Sequence, residues 1–320
     1  MRNKFAQIVY EVAKDDPRIC ALVADISPAG AMTKFQEEFP ERFINTGVAE
    51  AAMIGIAGGL ALRGMRPFCY TIATFALYRP FEMIRVDLCY QNLPVTIIGM
   101  GAGVIYSNLG GTHHTMEDIA VASALPNMTV LAPCDPDEMG DATRWCATES
   151  QGPVYMRLGK AGEPTLTANA IDPFQVGKVR YLRRGRNLAI LSYGVTVGVA
   201  AEVADQLRER GVSVSLISCH TLKPLDIKGI REVLEAHGTI AVIEEHVPHG
   251  GLGSRVKEVA FDGQFRTCIH CFSLKDEFIH FYGTHSELLA VYGISAKTIA
   301  EQLSATRGLA ERGGSHPPSK

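Results

Sequence analysis

EDIAVASALPNMTVLAPCDPDEMGDATRWCATESQGPVYMRLG, residues 117–159, decides the fold. EDIAVASALPN has the apolar spacing of an amphipathic helix, and TVLAPCD is a strand with its turn. PDEMGDATRWCATES is a second helix, and GPVYMRLG a second buried strand. Strands that alternate with helices of this length belong to parallel α/β sheets rather than to hairpins.

The same alternation extends in both directions. Upstream, ICALVADIS (19–27), RPFCYTIA (66–73) and PVTIIGMG (94–101) read as strands. AEAAMIGIAGGLALRG (49–64) and FEMIRVDLCYQN (81–92) read as helices, and the first 20 residues hold an amphipathic helix. From about Leu158 to Arg186 the pattern lapses into Gly, Pro and Thr, a linker with an irregular or edge-strand passage. A second α/β unit follows. NLAILSYG (187–194), VSVSLISCHTLKP (212–224), GTIAVIEEH (238–246) and FRTCIHCFSL (265–274) are its expected strands, with helices between and after them. The expected division is a first domain over 1–165, a linker over 166–186, a second domain over 187–308 and a frayed tail over 309–320.

Composition narrows the function classes. The 320 residues are 47% hydrophobic and 20% charged, enough apolar material for two sizeable cores. A net charge of −3 argues against a nucleic-acid partner bound through a basic surface. No apolar run approaches the roughly 18–20 residues of a membrane helix, so no membrane role is expected. The eight cysteines sit in apolar segments, as buried thiols do in a reducing cytoplasm. Cys268 and Cys271 form a CxxC, but on a strand residues three apart face opposite sides, and no second pair completes a zinc site.

Three stretches could carry chemistry. In RFINTGVAEAAMIGIAGGLALRGMRPF (42–68), Glu50 opens a helix so rich in Ala and Gly that close packing on both sides is expected. A carboxyl group desolvated there would have a raised pKa and could donate a hydrogen bond, although an acid at a helix start is also simply favourable. In YTIATFALYRPFE (70–82), Phe75 and Tyr78 could flank a flat heterocycle or serve as core. GAGVIYSNLGGTHHTMEDIA (101–120) is a Gly-rich loop at a strand's carboxyl end that carries His113 and His114. No Walker A, Rossmann or nucleophile-elbow motif occurs. HGGLGS (249–254) could bind an anion at a helix start, and His220 and Lys223 read as interface or turn residues.

Together these stretches resemble one family. INTGVAEAAMIGIAGGLAL, YTIATFALYRPFEMIR and LGGTHHTMEDIAVASALPNMTVLAPCDP are similar to the pyrimidine-binding domain of transketolase. SYGVTV, SCHTLKPLD, EEHVPHGGLGS and YGISA resemble its C-terminal domain, and the likeness runs from about residue 5 to residue 308. The resemblance implies thiamin diphosphate as cofactor, with Glu50 on the glutamate that hydrogen-bonds N1′ of its pyrimidine. It implies that Phe75, Tyr78 and Ile72 line the pyrimidine pocket and that Asp25 lies toward the thiazolium. His113 falls on a histidine that contacts donor-sugar hydroxyls, with His114 beside it; Lys160, with Arg157 nearby, stands at a phosphate-binding arginine.

The family's diphosphate and Mg2+ motif has no counterpart in this sequence. The resemblance therefore implies the C-terminal subunit of a split transketolase, completed by an N-terminal subunit in an α2β2 assembly and acting in the cytoplasm. At the substrate end Leu109, Ala29 and Gly101 replace the family's aspartate, serine and histidine. The expected reaction is two-carbon ketol transfer between sugars, with an ordinary, branched or sulfonated anionic sugar as donor. The alternatives are the β subunit of a 2-oxoacid dehydrogenase E1 component and a non-catalytic binding subunit.

Overall fold

ICALV, TIIGM and VYMRL bury every residue, so each needs cover on both faces and takes an interior place in a sheet. The computed structural model describes residues 1–26, 30–160 and 162–306. Ala29 and the expected tail over 309–320 lie outside the described residues.

The first half begins with α1 (Arg2–Asp15), β1 (Ile19–Val23) and α2 (Ala31–Glu38). It continues through a 3-10 turn (Pro40–Arg42), β2 (Phe43–Asn45), α3 (Glu50–Leu62), β3 (Arg66–Ile72) and α4 (Ala73–Leu77). A short α5 (Phe81–Met83) runs on as a π-helical stretch (Ile84–Tyr90). Then come β4 (Thr96–Met100), α6 (Asp118–Ser123), β5 (Thr129–Leu131), α7 (Pro136–Thr148) and β6 (Val154–Leu158). The second half holds β7 (Arg180–Arg183), β8 (Leu188–Ser192), α8 (Thr196–Glu209), β9 (Val214–Ser218), β10 (Thr221–Lys223) and α9 (Ile227–Ala236). It closes with β11 (Thr239–Ile243), α10 (Leu252–Asp262), β12 (Cys268–Phe272), α11 (His285–Val291) and α12 (Ala296–Ser304).

Two mixed sheets result. The first has the order β10-β5-β6-β4-β3-β1-β2 and the second β12-β11-β8-β9-β7. All pairings are parallel except β10 with β5 and β7 with β9. Parallel strands carry all their loops of one sense at one end, and β3, β4 and β6 point their carboxyl ends at the same edge of the first sheet.

Several local expectations need correction. VSVSLISCHTLKP is not one strand: β9 stays in the second sheet, while β10 crosses to pair with β5 of the first. Gly177 N donates to Thr221 Oγ1, and Lys223 Nζ donates to Ser123 O at 2.8 Å, so polar contacts at this crossing outweigh continuation of the strand. FEMIRVDLCYQN forms a mostly π-helical run instead of one α-helix, and α2 and β2 appear in the unassigned stretch before Glu50. α3 is not packed on both sides. Met53, Ile54, Ala57 and Gly58 are buried, whereas Ala51, Ala52, Gly55 and Ile56 lie open in the single chain.

The halves are locked by buried polar groups. Asp135 caps α7 by accepting from Glu138 N at 2.8 Å, and its other oxygen accepts from Leu166 N, Thr167 N and Thr167 Oγ1. Glu138 in turn accepts from Cys134 N, from Ser218 Oγ of the second sheet and from Arg180 Nη1. Burial raises the Glu138 pKa despite these donors. Replacing Asp135 with Ala strands the buried Glu138 and Thr167 N–H groups and the half-buried Leu166 N–H, and removes a helix cap. Urea denaturation should show a loss of about 2–4 kcal/mol; a loss within the error of the method would mean that other groups hold the connection.

Candidate active site at the Gly-rich loop

The site is assembled at the carboxyl edge of the first sheet by three loops. After β2, Asn45 Oδ1 accepts from Gly47 N at 3.0 Å and from Asp25 N at 3.2 Å. This ties the turn after β1 to the turn that launches α3. Gly47 there has φ 67°, a left-handed conformation that glycine adopts without strain. Glu50 then starts α3 with its side chain only 6% exposed.

β3 ends at Ile72, whose extended backbone caps α4 and sends Phe75, Tyr78 and Arg79 onto the same edge. Arg79 Nη1 donates to Glu50 Oε1 at 2.8 Å, and its guanidinium lies 4.0 Å from the centre of the Phe75 ring. The Glu50 carboxyl, expected to be desolvated, is buried but ion-paired, with the cation half open to solvent. Among the described residues only Oε1 of Glu50 is engaged. Tyr78 Oη donates to Glu117 Oε2 at 2.9 Å, and burial raises its pKa.

The third loop follows β4. Gly101, Gly103 and Gly110 all take positive φ, and Gly103 pairs with Thr115 in a one-residue antiparallel bridge that closes the loop on itself. His113 sits edge-on to Phe75, centroids 5.2 Å apart, and edge-on to Tyr106 at 5.8 Å. Its Nδ1 is 2.9 Å from Thr112 Oγ1. Burial, with Arg79 adding to it, holds the His113 pKa below the usual imidazole value, which favours the neutral ring at pH 7. His114 is 4% exposed, and neither ring nitrogen has a hydrogen-bond partner among the described residues. Its pKa is also lowered, chiefly by burial. Lys160 lies 5.4 Å from the Tyr106 ring, so Glu50, Arg79, Phe75, His113, Tyr106 and Lys160 form one continuous row.

Other expected residues stand apart from that row. Arg157 is buried under it: Nε meets Asp118 Oδ2 at 3.2 Å and Nη2 donates to Glu245 O at 2.9 Å. Burial opposes its charge, but Asp118, Tyr193, Glu245 and Tyr155 together outweigh it and its pKa is raised. Ile72 is half-buried at the end of β3, Asp25 is exposed with φ 49°, and Leu109 is exposed on the loop. HGGLGS does not offer an open anion site, because Glu244 already accepts from Leu252 N at 2.8 Å and Gly253 N at 2.9 Å. His220 is buried and stacks on Phe174 at 4.2 Å. Cys268 and His270 share a face of β12, 3.4 Å apart; all eight cysteines are free. Among the described residues, no group of three or more His, Cys, Asp or Glu is placed to hold a metal ion, and no helix is long and apolar enough to cross a membrane.

Sequence reasoning passed over Arg79, Tyr106, Glu117, Glu245 and His285. The first three lie inside the stretches singled out, without a spacing that distinguishes them. Glu245 and His285 come from the second domain, and nothing in the sequence connects them to the loop.

Comparison with known proteins finds two family models along the chain. Residues 1–162 match the model of the transketolase pyrimidine-binding domain and residues 177–299 that of the transketolase C-terminal domain. The chain is 33% identical over 300 residues to an apulose-4-phosphate transketolase subunit of Phocaeicola vulgatus, covering 94% of this chain and 95% of that one. It is 33% identical over 258 residues to a 6-deoxy-6-sulfo-D-fructose transketolase subunit of a Clostridium species, covering 81% and 80%. A structure described as a split gene transketolase, inactive beta4 tetramer, superposes with a TM-score of 0.84 at 32% identity, with 97% of each chain covered.

The Arg79 contacts make a prediction that needs no ligand. In an Arg79→Gln chain the His113 pKa should rise toward the ordinary imidazole value, because a nearby positive charge is gone while burial persists. Titration of the His113 ring followed by NMR checks this. An unchanged or lower pKa would remove Arg79 as an influence on His113.

Proposed function

The chain belongs to the transketolase family, and from that premise we propose that it is the C-terminal subunit of a split, thiamin-diphosphate-dependent transketolase. The row from Glu50 to Lys160 is the observation that carries this reading. It offers a carboxylate with one oxygen free among the described residues, an aromatic face, two neighbouring imidazoles and a cation at the far end. Those features fit a pyrimidine ring followed by a polyhydroxylated anion.

When bound, thiamin diphosphate supplies a carbanion nucleophile and an electron sink. Glu50 would hold the pyrimidine through its free oxygen, and Arg79 would keep that carboxylate oriented. Phe75, Tyr78 and Ile72 would wall the ring and exclude water, with Asp25 on the thiazolium side. His113, neutral and fixed edge-on between two aromatic rings, would accept or donate a hydrogen bond at a sugar hydroxyl. His114, buried with both ring nitrogens closed off from the open edge, would back His113 on the substrate side rather than touch the sugar itself. Lys160 would take the anionic end of the sugar. Arg157, buried with Asp118, would support this end from beneath rather than touch it.

An N-terminal partner subunit would hold the diphosphate and Mg2+, so that the site forms between chains in a cytoplasmic α2β2 assembly. The open face of α3 supports self-association, since Ala51, Ala52, Gly55 and Ile56 are small or apolar and border Glu50. The substrate would be an anionic ketose. The names of the relatives make branched and sulfonated sugars as reasonable to test as ordinary pentose phosphates.

Two-carbon transfer from xylulose 5-phosphate to ribose 5-phosphate, with thiamin diphosphate and Mg2+, is the direct test. Apulose 4-phosphate and sulfofructose would be run in parallel. Activity is expected only when the chain is combined with its N-terminal partner, and Glu50→Ala in that complex should lower turnover roughly 100-fold or more. Activity of the chain alone, or full activity of Glu50→Ala, would overturn the assignment. Ile56→Glu should shift the chain to a smaller species in sedimentation velocity; an unchanged coefficient would place the contact elsewhere.

A further inference from the structure

The second domain holds the loop that carries His113 and His114 in three ways: Val247 N donates to Met116 O at 2.9 Å, Val104 and Met116 pack into the second domain's apolar core, and a buried carboxylate reaches the Val104 backbone. Glu245, at the carboxyl end of β11, is 1% exposed. Its Oε1 accepts from Val104 N of the loop and lies 3.0 Å from His285 Nε2 at the start of α11. Gly103 makes this approach possible, because a Cβ there would overlap the Glu245 carboxyl group and Arg157 Nη2. The same Gly103 bridges Thr115, the residue after His114. His285, half-buried, is the outer end of this chain of contacts. It borders a cavity of about 550 Å³ between the domains, which Ile105 and Lys160 of the candidate site also line.

We propose that His285 is a positioning residue for the candidate site: through Glu245 it fixes Val104 and so the loop that presents His113 and His114. The inference rests on the reading of that loop as substrate-binding, and it gives the second domain a part in the site. Its physics is that of a buried carboxylate serving two donors. Without a counter-charge, Glu245 would be costly to keep ionised in so buried a place, and a protonated Glu245 would be a weaker acceptor for Val104 N–H.

The charges around the pair agree with this. Burial pushes the Glu245 pKa up, but His285, Arg157 and the Val104 N–H together hold it below the usual carboxylate value. The Glu245 charge raises the His285 pKa against burial and against Arg157. Lys160, Glu163 and Glu202 face the same cavity, and Asp118 reaches the pair through Arg157. The sign follows from linkage. The contribution of His285 is fully present below the ordinary imidazole pKa and is lost as pH rises through its raised value. That of Glu245 is present above the ordinary carboxylate pKa and is lost as pH falls through its lowered value. The loop should be held most firmly between the two.

Hydrogen exchange on the full chain tests this without a partner or a substrate. The protection factor of the Val104 amide should be high near about pH 6 and fall as pH rises to about 9. In His285→Gln, which keeps a side-chain N–H but no charge, protection should be at least ~10-fold lower near pH 6 and lose its alkaline limb. The His113 and His114 ring resonances should shift in the same variant, while Val242 in β11 keeps its protection and so reports an intact fold. Glu245→Gln should remove the pH dependence in the same way. Flat protection in the unmodified chain, or a His285→Gln chain that keeps its protection and its alkaline limb, would overturn the proposal. Failure of the transfer assay with these exchange results intact would count against the transketolase reading and leave the positioning role standing.

Discussion

One buried carboxylate holds the site's architecture together. Glu245 satisfies a backbone N–H of one domain and an imidazole of the other, while its own carbonyl accepts from Arg157. Its neighbours in sequence do related work. Glu244 caps the start of α10, and His246 Nε2 accepts from Ala120 N near the start of α6. Three consecutive residues thus finish one domain's own helix, grip the other's loop and tie down its next helix. Polar groups this deep are tolerable because each meets a hydrogen-bonding partner, and a misplaced domain would leave them bare. The seam therefore fixes the relative placement of the halves more sharply than apolar contact alone would.

Arg157 and Asp118 extend that seam under the loop. Asp118 accepts from Tyr155 Oη at 2.8 Å and from Ile119 N, and it meets Arg157 Nε. Tyr155 reaches it across β4 only because Gly99 has no side chain in the way. The result is a rigid floor beneath loops that are closed by glycines in left-handed conformations. Firm support beneath such loops is what a site needs when ligand groups must be met at fixed positions.

Much of this was legible in the sequence, and the division has physical causes. The interior strands β1, β4, β6, β8 and β11 follow from apolar runs and turn residues, because burial on both faces leaves a strong local mark in TIIGM or AVI. Glu50, Phe75, Tyr78 and His113 were singled out from stretches that the fold then brought to one edge. β10 was missed because Thr221–Lys223 pairs with a strand 90 residues earlier, a choice that no local pattern encodes. Arg157 was expected near the substrate because it lies close to Lys160 in sequence. On β6 it points into the seam, whereas Lys160 lies beyond the strand's end. The roles of Glu245 and His285 depend wholly on interdomain geometry and leave no trace in spacing.

The open face of α3 and the ion pair of Glu50 with Arg79 belong to the same problem. A helix that is apolar on all sides is stable in water only when both faces are covered, yet one face here is bare. Glu50 lies at the start of that helix, so whatever covers the face also deepens the surroundings of the carboxylate. Arg79, half exposed now, compensates the charge while the edge is open. Covering the edge would strengthen this pairing by excluding water, while the other carboxylate oxygen has no partner among the described residues. The bare face and the ion pair are in this sense one feature, set up by a sequence that places a glutamate at the head of a helix made for burial.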